Sequence, residues 1–339
     1  LNKQKLKQTA SYAVLGALKA AGLFGMAAKS QQRRANLLIL CYHGISLDDE
    51  HRWHPNLFIT PDTFRQRLQC LRDMKAAVLP LGEAITRLHA GTLPPQSVAI
   101  TFDDGFYDFY RFAVPLLAEF GMPATLYLTT YYCDYRLPIV NLALDYLLWK
   151  SQRYSVELPE FGLPAPQPLG NYAERQKVVW KLMAWAEEQK LTTREKDDLA
   201  RAVASKLGVD YDALTASRML QIMSPEEARQ TAAAGIDLQL HTHRHRTPRD
   251  RELFLREIRD NARCIHDLSG REPAHFCYPS GEYLPEFLPW LTEMKVESAT
   301  TCDRGLARPA SNNLLLPRVL DDSSMNLLRF QSFVSGLFT

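Results

Sequence analysis

Short apolar runs recur along this chain, and most of them stop on polar side chains. Asn36–Tyr42 (NLLILCY) ends at His43 and Gly44, and Ser97–Phe102 (SVAITF) runs directly into Asp103-Asp104-Gly105. Ala124–Leu128 (ATLYL) follows a Gly-Met-Pro turn, and Ile236–Leu240 (IDLQL) runs into His241. Phe276–Tyr278 and Ser298–Cys302 have the same character, and runs of this length predict strands. Between them the period changes. Over 61–75, opened by Pro61 and Asp62, Phe64, Leu68 and Leu71 recur at helical spacing. Over 251–268, Phe254, Ile258, Ala262 and Ile265 do the same, with Gly270 as a stop signal. Strand and helix in alternation predict an α/β fold built on a parallel sheet or barrel.

One block breaks the rhythm. From about 141 to 230 the pattern is mainly helical, around a passage rich in Pro and Gly at 158–170. Asn171–Leu191 carries Val178, Leu182 and Trp185 on one face. Thr192 with Glu195, and Ser224-Pro225 with Glu227, are capping boxes that open later helices. The block reads as a helical insertion in an α/β domain spanning 36–339. Residues 1–35 stand apart: Lys3, Lys5 and Lys7 precede a stretch of small residues, Tyr12–Ala28, interrupted by Lys19. It lacks a clean cleavage site and is too interrupted to span a bilayer. The expectation is a basic amphipathic helix that docks on its own domain or makes peripheral contact with an anionic membrane. A cytoplasmic or membrane-peripheral location follows from that expectation, with an exported form left open.

The composition narrows the classes. With 339 residues the chain can bury a large core, and 46% hydrophobic with 23% charged residues is ordinary for a globular protein. A formal net charge of +2, without basic and aromatic residues interleaved on one surface, argues against a nucleic-acid partner. The six cysteines are widely spaced in a chain too long for a disulfide scaffold, so free thiols are expected. The oligomeric state is not encoded in any feature of the sequence.

Chemistry-bearing residues gather at the predicted strand ends: His43, Asp103-Asp104, the run His241-Thr242-His243-Arg244-His245, and Tyr278-Pro279-Ser280-Gly281. In parallel α/β folds the C-terminal ends of strands are where sites form. Adjacent carboxylates repel unless a cation holds them, and at a strand end they point in different directions. One can bind a metal while the other reaches a water beside it. His241 and His245 fall on one side of a turn, and two His with one Asp leave positions open for water and substrate.

Thr101-Phe102-Asp103-Asp104-Gly105 followed by His241-Thr242-x-x-His245 resembles the polysaccharide deacetylase family, also called carbohydrate esterase family four or the NodB homology domain. Leu40-Cys41-Tyr42-His43-Gly44 is similar to the opening "YH" strand of one branch. Phe276-Cys277-Tyr278-Pro279-Ser280-Gly281 resembles its "F-x-YP-x-G" segment, and Leu316-Pro317-Arg318-Val319 its closing "LPRV". The resemblance covers about 36–134 and 231–320. It implies a distorted (β/α) barrel with one divalent ion, commonly zinc, with cobalt, nickel, iron or manganese also compatible. By family pattern Asp103 is the general base, Asp104, His241 and His245 hold the ion, and the backbone N–H of Ser280 binds the oxyanion.

The chain departs from the simpler members of that family. The Arg that orients their base is Cys277 here, which nominates Arg318, read as lying at the end of a late strand, as a replacement. Their late "L-x-H" motif is missing, and His43 is nominated as the general acid in its place. The implied reaction is hydrolysis of an N-acetyl group on an amino sugar, in a glycan or a glycan precursor. A metal-dependent amidase acting on a small non-sugar amide, and a non-catalytic glycan-binding or scaffold protein, are the alternatives.

Overall fold

The computed structural model describes residues 3–337, with side chains from Tyr12 onward. The basic face expected of Lys3, Lys5 and Lys7 therefore lies outside the described residues. The strands, in chain order, are β1 (Leu38–Tyr42), β2 (Gly44–Ile45), β3 (Phe58–Ile59), β4 (Ala77–Val78), β5 (Ser97–Asp104) and β6 (Thr125–Leu128). They continue as β7 (Ser155–Leu158), β8 (Leu163–Pro168), β9 (Asp237–Leu240), β10 (His275–Cys277), β11 (Ser298–Arg304) and β12 (Leu316–Leu320).

Seven of these close a ring in the order β1-β12-β11-β10-β9-β6-β5, with β5 returning to β1. Every pairing around it is parallel, and the closing register runs from Leu38 opposite Val98 to Tyr42 opposite Phe102. The two-residue strand β4 pairs onto the start of β5, outside the ring. The expected (β/α) barrel is therefore a seven-stranded one. Because helices cover the outside and side chains fill the inside, a ring strand is buried on both faces. All five residues of β1 and the first seven of β5 are buried, which is why they read as unbroken apolar runs.

Alternation sorts each strand into two sets. Leu38, Leu40, Tyr42, Val98, Ile100 and Phe102 face outward, packing with Phe64 and Leu68 of the helix Pro61–Asp73 and with Phe254 and Ile258 of the helix Arg251–Ser269. Ile39, Ala99, Tyr127, Cys277 and Leu316 face the interior, joined by Leu81, Ile85 and Leu88 of the helix Leu81–Ala90. A knot of rings stands behind the Asp pair: Phe102 lies 5.1 Å from Tyr42, 5.3 Å from Phe64 and 4.7 Å from Phe109.

Between β6 and β9 the chain forms the helices Val140–Lys150, Tyr172–Glu188, Thr193–Leu207, Tyr211–Ala216 and Pro225–Ala233. Both capping boxes are present, on Thr192 with Glu195 and on Ser224 with Glu227. The passage at 158–170 is not a plain loop. Its β8 half pairs antiparallel with β7, and β8 carries three prolines, which a hairpin of this kind tolerates because its strands are edges. The block has its own apolar cluster, including Leu144, Leu147, Val178, Leu182 and Val203. Asp145 ties it to the barrel loops by accepting a hydrogen bond from Trp53 Nε1 (3.1 Å), and it joins two helices of the block by accepting from Arg175 Nε (3.0 Å).

At the other end, the helices Lys3–Ala20, Leu23–Ala28 and Gln31–Ala35 lead into β1. Leu15 and Phe24 are buried, Lys19 Nζ donates to Gln331 Oε1 at 2.7 Å, and Tyr12 donates to the carbonyl of Ser324. Buried Arg33 donates to the carbonyls of Val334, Asn36 and Ser97. No helix among the described residues is long and apolar enough to cross a membrane. All six cysteines are free.

Candidate active site

The strand β5 runs two residues further than its apolar stretch, so that Asp103 and Asp104 are its last residues. Asp103 follows Ala99 and Thr101 in the alternation and points into the barrel. There its carboxylate meets the guanidinium of Arg318 in a two-pronged pair, Nη1 to Oδ1 and Nη2 to Oδ2, both at 2.7 Å. Arg318 lies in the middle of β12, not at its end, two residues beyond inward-facing Leu316. It is fully buried and also donates to the carbonyl of Thr301 (3.0 Å) and to Thr101 Oγ1 (3.2 Å). Burial alone would push the Asp103 carboxyl up. The charge and twin hydrogen bonds of Arg318 outweigh it and hold Asp103 well below the usual carboxylate range. Cys41 and Cys277 flank the same oxygen at 3.6 and 3.4 Å, their thiols pushed far up by burial.

Asp104 breaks the alternation. Continued as a strand residue it would face the outer helices, but its φ of 71° turns the carboxylate to the barrel mouth. The next residue, Gly105, has φ 90°, and a Cβ there would stand 2.2 Å from Leu128 Cδ1. Thr242, His245 and Ser280 also hold positive φ, at 61°, 53° and 58°. Strained backbone at non-glycine residues collects at functional sites, and here Asp104, His245 and Ser280 line one cavity, with Thr242 buried between the two histidines.

His241 and His245 converge on one oxygen: each Nε2 lies 3.2 Å from Asp104 Oδ1. The three ligand atoms all lie within 4.8 Å of one another. His241 Nδ1 is 2.9 Å from the carbonyl of Cys277, which can only accept, so Nδ1 carries a proton and, whenever the ring is neutral, the Nε2 lone pair faces the carboxylate. Lone pair facing lone pair is repulsive without a cation between them, and a ring fixed through Nδ1 is how metal-binding imidazoles are oriented. The donor set therefore fits a divalent cation. Burial pushes Asp104 up, but the neighbouring His245 and His241 hold it well below the usual range. Burial likewise disfavours a charged His245, and Asp104 outweighs that and raises it.

His43 follows β1, and its Nε2 lies 3.7 Å from Asp103 Oδ2. Ser280 sits exposed in a short turn after β10, kept tight by Gly281, where a Cβ would meet Cys302 Cβ at 2.7 Å. His43, Asp103, Asp104, His241, His245 and Ser280 all line one cavity of about 410 Å³. Thus every residue nominated from the sequence comes to this mouth, with Arg318 immediately beneath it. His243 does not: its Nδ1 turns away to Thr130 Oγ1 at 2.8 Å. Tyr132, from the short turn Tyr131–Asp134 that follows β6, also lines the cavity.

Two residues went unnoticed in the sequence. Glu257 and Asn261, one turn apart on the helix Arg251–Ser269, are buried beneath the histidine loop. Glu257 accepts from the Arg244 backbone N–H (2.8 Å) and from Arg246 Nε (3.0 Å). Asn261 accepts from the His241 N–H (2.8 Å) and donates to the Leu128 carbonyl and to Thr130 Oγ1. Their only signal is i, i+4 spacing beside the apolar stripe of that helix.

Comparison with known proteins agrees with this geometry. The protein YxkH of Bacillus subtilis, itself named as a polysaccharide deacetylase, is 34% identical over 98 residues, 29% of this chain and 33% of its own length. A poly-beta-1,6-N-acetyl-D-glucosamine N-deacetylase of Staphylococcus epidermidis is 36% identical over 75 residues, 22% of this chain and 26% of its own. The matched segments thus span about a third or less of these relatives. Among solved structures, the Streptococcus pyogenes deacetylase PplD in complex with acetate has a TM-score of 0.57 at 18% identity, covering 87% of this chain and 96% of that one. IcaB from Ammonifex degensii also has a TM-score of 0.57, at 17% identity, covering 88% and 97%. These two likenesses show a shared fold. The sequence pattern of the polysaccharide deacetylase family matches residues 90–153 and 177–299, more than half of the chain, and the protein belongs to that family.

Proposed function

We propose that this protein is a metal-dependent hydrolase that removes the N-acetyl group of an amino sugar, in a glycan or a glycan precursor. The observation that carries the reading is the pairing of two adjacent carboxylates with different partners: Asp103 with Arg318, Asp104 with two imidazoles. One is kept ionised and oriented for proton transfer, the other is arranged to hold a cation. Membership of the family, and the activity named for the Staphylococcus epidermidis relative, support the substrate class.

Asp104, His241 and His245 would hold the ion. When bound, a divalent cation supplies Lewis acidity, lowering the pKa of water and polarising a carbonyl. Arg318 keeps Asp103 ionised, so its free face accepts the proton of the attacking water. The Ser280 N–H donates to the acyl oxygen as charge develops on it. His43 passes a proton to the departing amine nitrogen, without which collapse expels water again. The test is acetate release from a panel of acetylated glycans and amino sugars, with metal content measured on the same sample. Acetate from no substrate by a metal-loaded protein would remove the reading.

His43→Ala is expected to keep its metal and lose about two to three orders of magnitude in kcat on an N-acetyl amino sugar. An anilide, whose leaving group needs less help from an acid, recovers much of that loss. Equal losses on both substrates would take the acid role from His43.

The clamp beneath the histidine loop has its own expected effect. Glu257→Gln weakens zinc affinity by about 10–100-fold, the range for residues that orient ligands, with ligand identity unchanged. Competition with a chromogenic chelator reads this directly. An unchanged affinity would make Glu257 a fold residue only.

A further inference from the structure

The block between β6 and β9 meets itself, and the active site, at its two ends. Ile139 N donates to the Leu220 carbonyl at 2.8 Å, and Pro138 bridges Gln221. The same returning segment pairs with the turn that follows Asp104: Phe106 bridges Ile222, Tyr107 N donates to the Gln221 carbonyl, and Met223 N donates to the Gly105 carbonyl. This ladder fixes Phe106, Ile139 and Ile222 along one side of the catalytic cavity. Leu142, from the first turn of Val140–Lys150, and Leu57 extend that side. Phe106 and Ile222 are buried, while Leu57, Ile139 and Leu142 are half-buried and turned to the cavity.

A preformed aliphatic wall in a water-filled site keeps apolar surface wet until something covers it. The acetyl methyl is too small to cover five side chains. A sugar ring is a poor match for this wall as well, since pyranoses stack on exposed aromatic faces and the wall's aromatic residue, Phe106, is buried. The ring order says which part of the substrate reaches the wall. Ser280 follows β10, and β10 stands three strands from β5 one way round the ring and four the other, on the far side of the seven-stranded mouth. With the acyl oxygen held at Ser280 and the amine proton supplied by His43, which follows β1, the amide nitrogen and its sugar are directed to the β1–β5 side, where the inserted block pairs with the turn after Asp104.

We infer that the amino sugar carries a hydrocarbon aglycone at its anomeric position, and that Leu57, Ile139, Leu142 and Ile222 bind its first segment. This rests on the deacetylase reading and narrows its substrate to a lipid-linked type of amino sugar. No covalent step is added.

The probes are octyl and methyl glycosides of N-acetylglucosamine, used below the micelle concentration of the former with the zinc-loaded protein. The octyl glycoside is expected to have a kcat/KM at least about tenfold higher, which two buried methylenes are enough to supply. Leu142→Asn and Ile139→Asn bring the ratio toward one. A second arm measures binding of both glycosides by calorimetry to the Asp103→Asn protein. A tenfold preference in binding that the wall variants abolish supports the wall even without turnover, in which case the deacetylase reading alone fails. Equal binding of the two glycosides, or a preference that survives both wall variants, overturns the inference.

Discussion

Arg318→Met is expected to unfold about 3–5 kcal/mol more easily than the parent chain, because it leaves a buried carboxylate without its partner. Arg318 makes both prongs of the pair with Asp103 from a fully buried position, so little water can replace it. Removing both charges is gentler. The double variant Asp103→Asn with Arg318→Met should regain part of that loss, since the stranded charge is gone. The pair also has a pH signature. Asp103 is held below its ordinary range, so its stabilising contribution is complete above the unfolded value near about 3.9 and fades as pH falls toward the folded one. The deficit of Arg318→Met should therefore shrink in acid. Urea titrations of the three proteins at neutral and acid pH read all of this. A single variant as stable as the parent, or a double variant no better than the single, would show that the two groups are not energetically coupled.

His241→Ala should lose stoichiometric metal and all measurable acetate release together. Its imidazole is oriented by the Cys277 carbonyl on Nδ1, which turns Nε2 to the same oxygen of Asp104 that His245 faces, and alanine offers no donor in its place. Two remaining ligands, one of them on the more exposed His245, do not make a closed three-point site. Metal analysis after dialysis and an activity assay on the same sample decide it. Full zinc occupancy in this variant would move the metal elsewhere, and activity without metal would end the metal-dependent reading.

What could be read from the sequence follows from how each residue earns its place. Asp103, Asp104, His241 and His43 stand at the ends of apolar runs, and in a parallel barrel those ends share one mouth, so position along the chain was enough to gather them. Arg318 was reachable only in part. Its alignment with a late strand was visible, but its inward direction depends on the register that puts Leu316 inside. Glu257 and Asn261 were not legible, because a polar pair beside an apolar stripe looks like any solvated helix edge until the loop above it is placed. The hairpin β7–β8 was hidden by its prolines, which mark loops far more often than edge strands. The wall of the cavity was hidden for another reason: Phe106, Ile139 and Ile222 meet only through backbone pairings between segments distant in the chain.

Ring closure also sets an order of assembly. Strand β1 needs both β5 and β12 as neighbours, and β12 is the last strand among the described residues. The carboxylate of Asp103 and its guanidinium partner stand 215 residues apart. Contacts that distant are the slow ones to form, since a long loop must be closed before they return any stabilisation. A nascent chain that has made β5 but not β12 therefore holds an open sheet with two unpaired edges and an unneutralised carboxylate facing its interior. The strand that carries the partner of Asp103 is thus also one that completes the ring, so a chain cannot close its barrel without at the same moment neutralising that carboxylate.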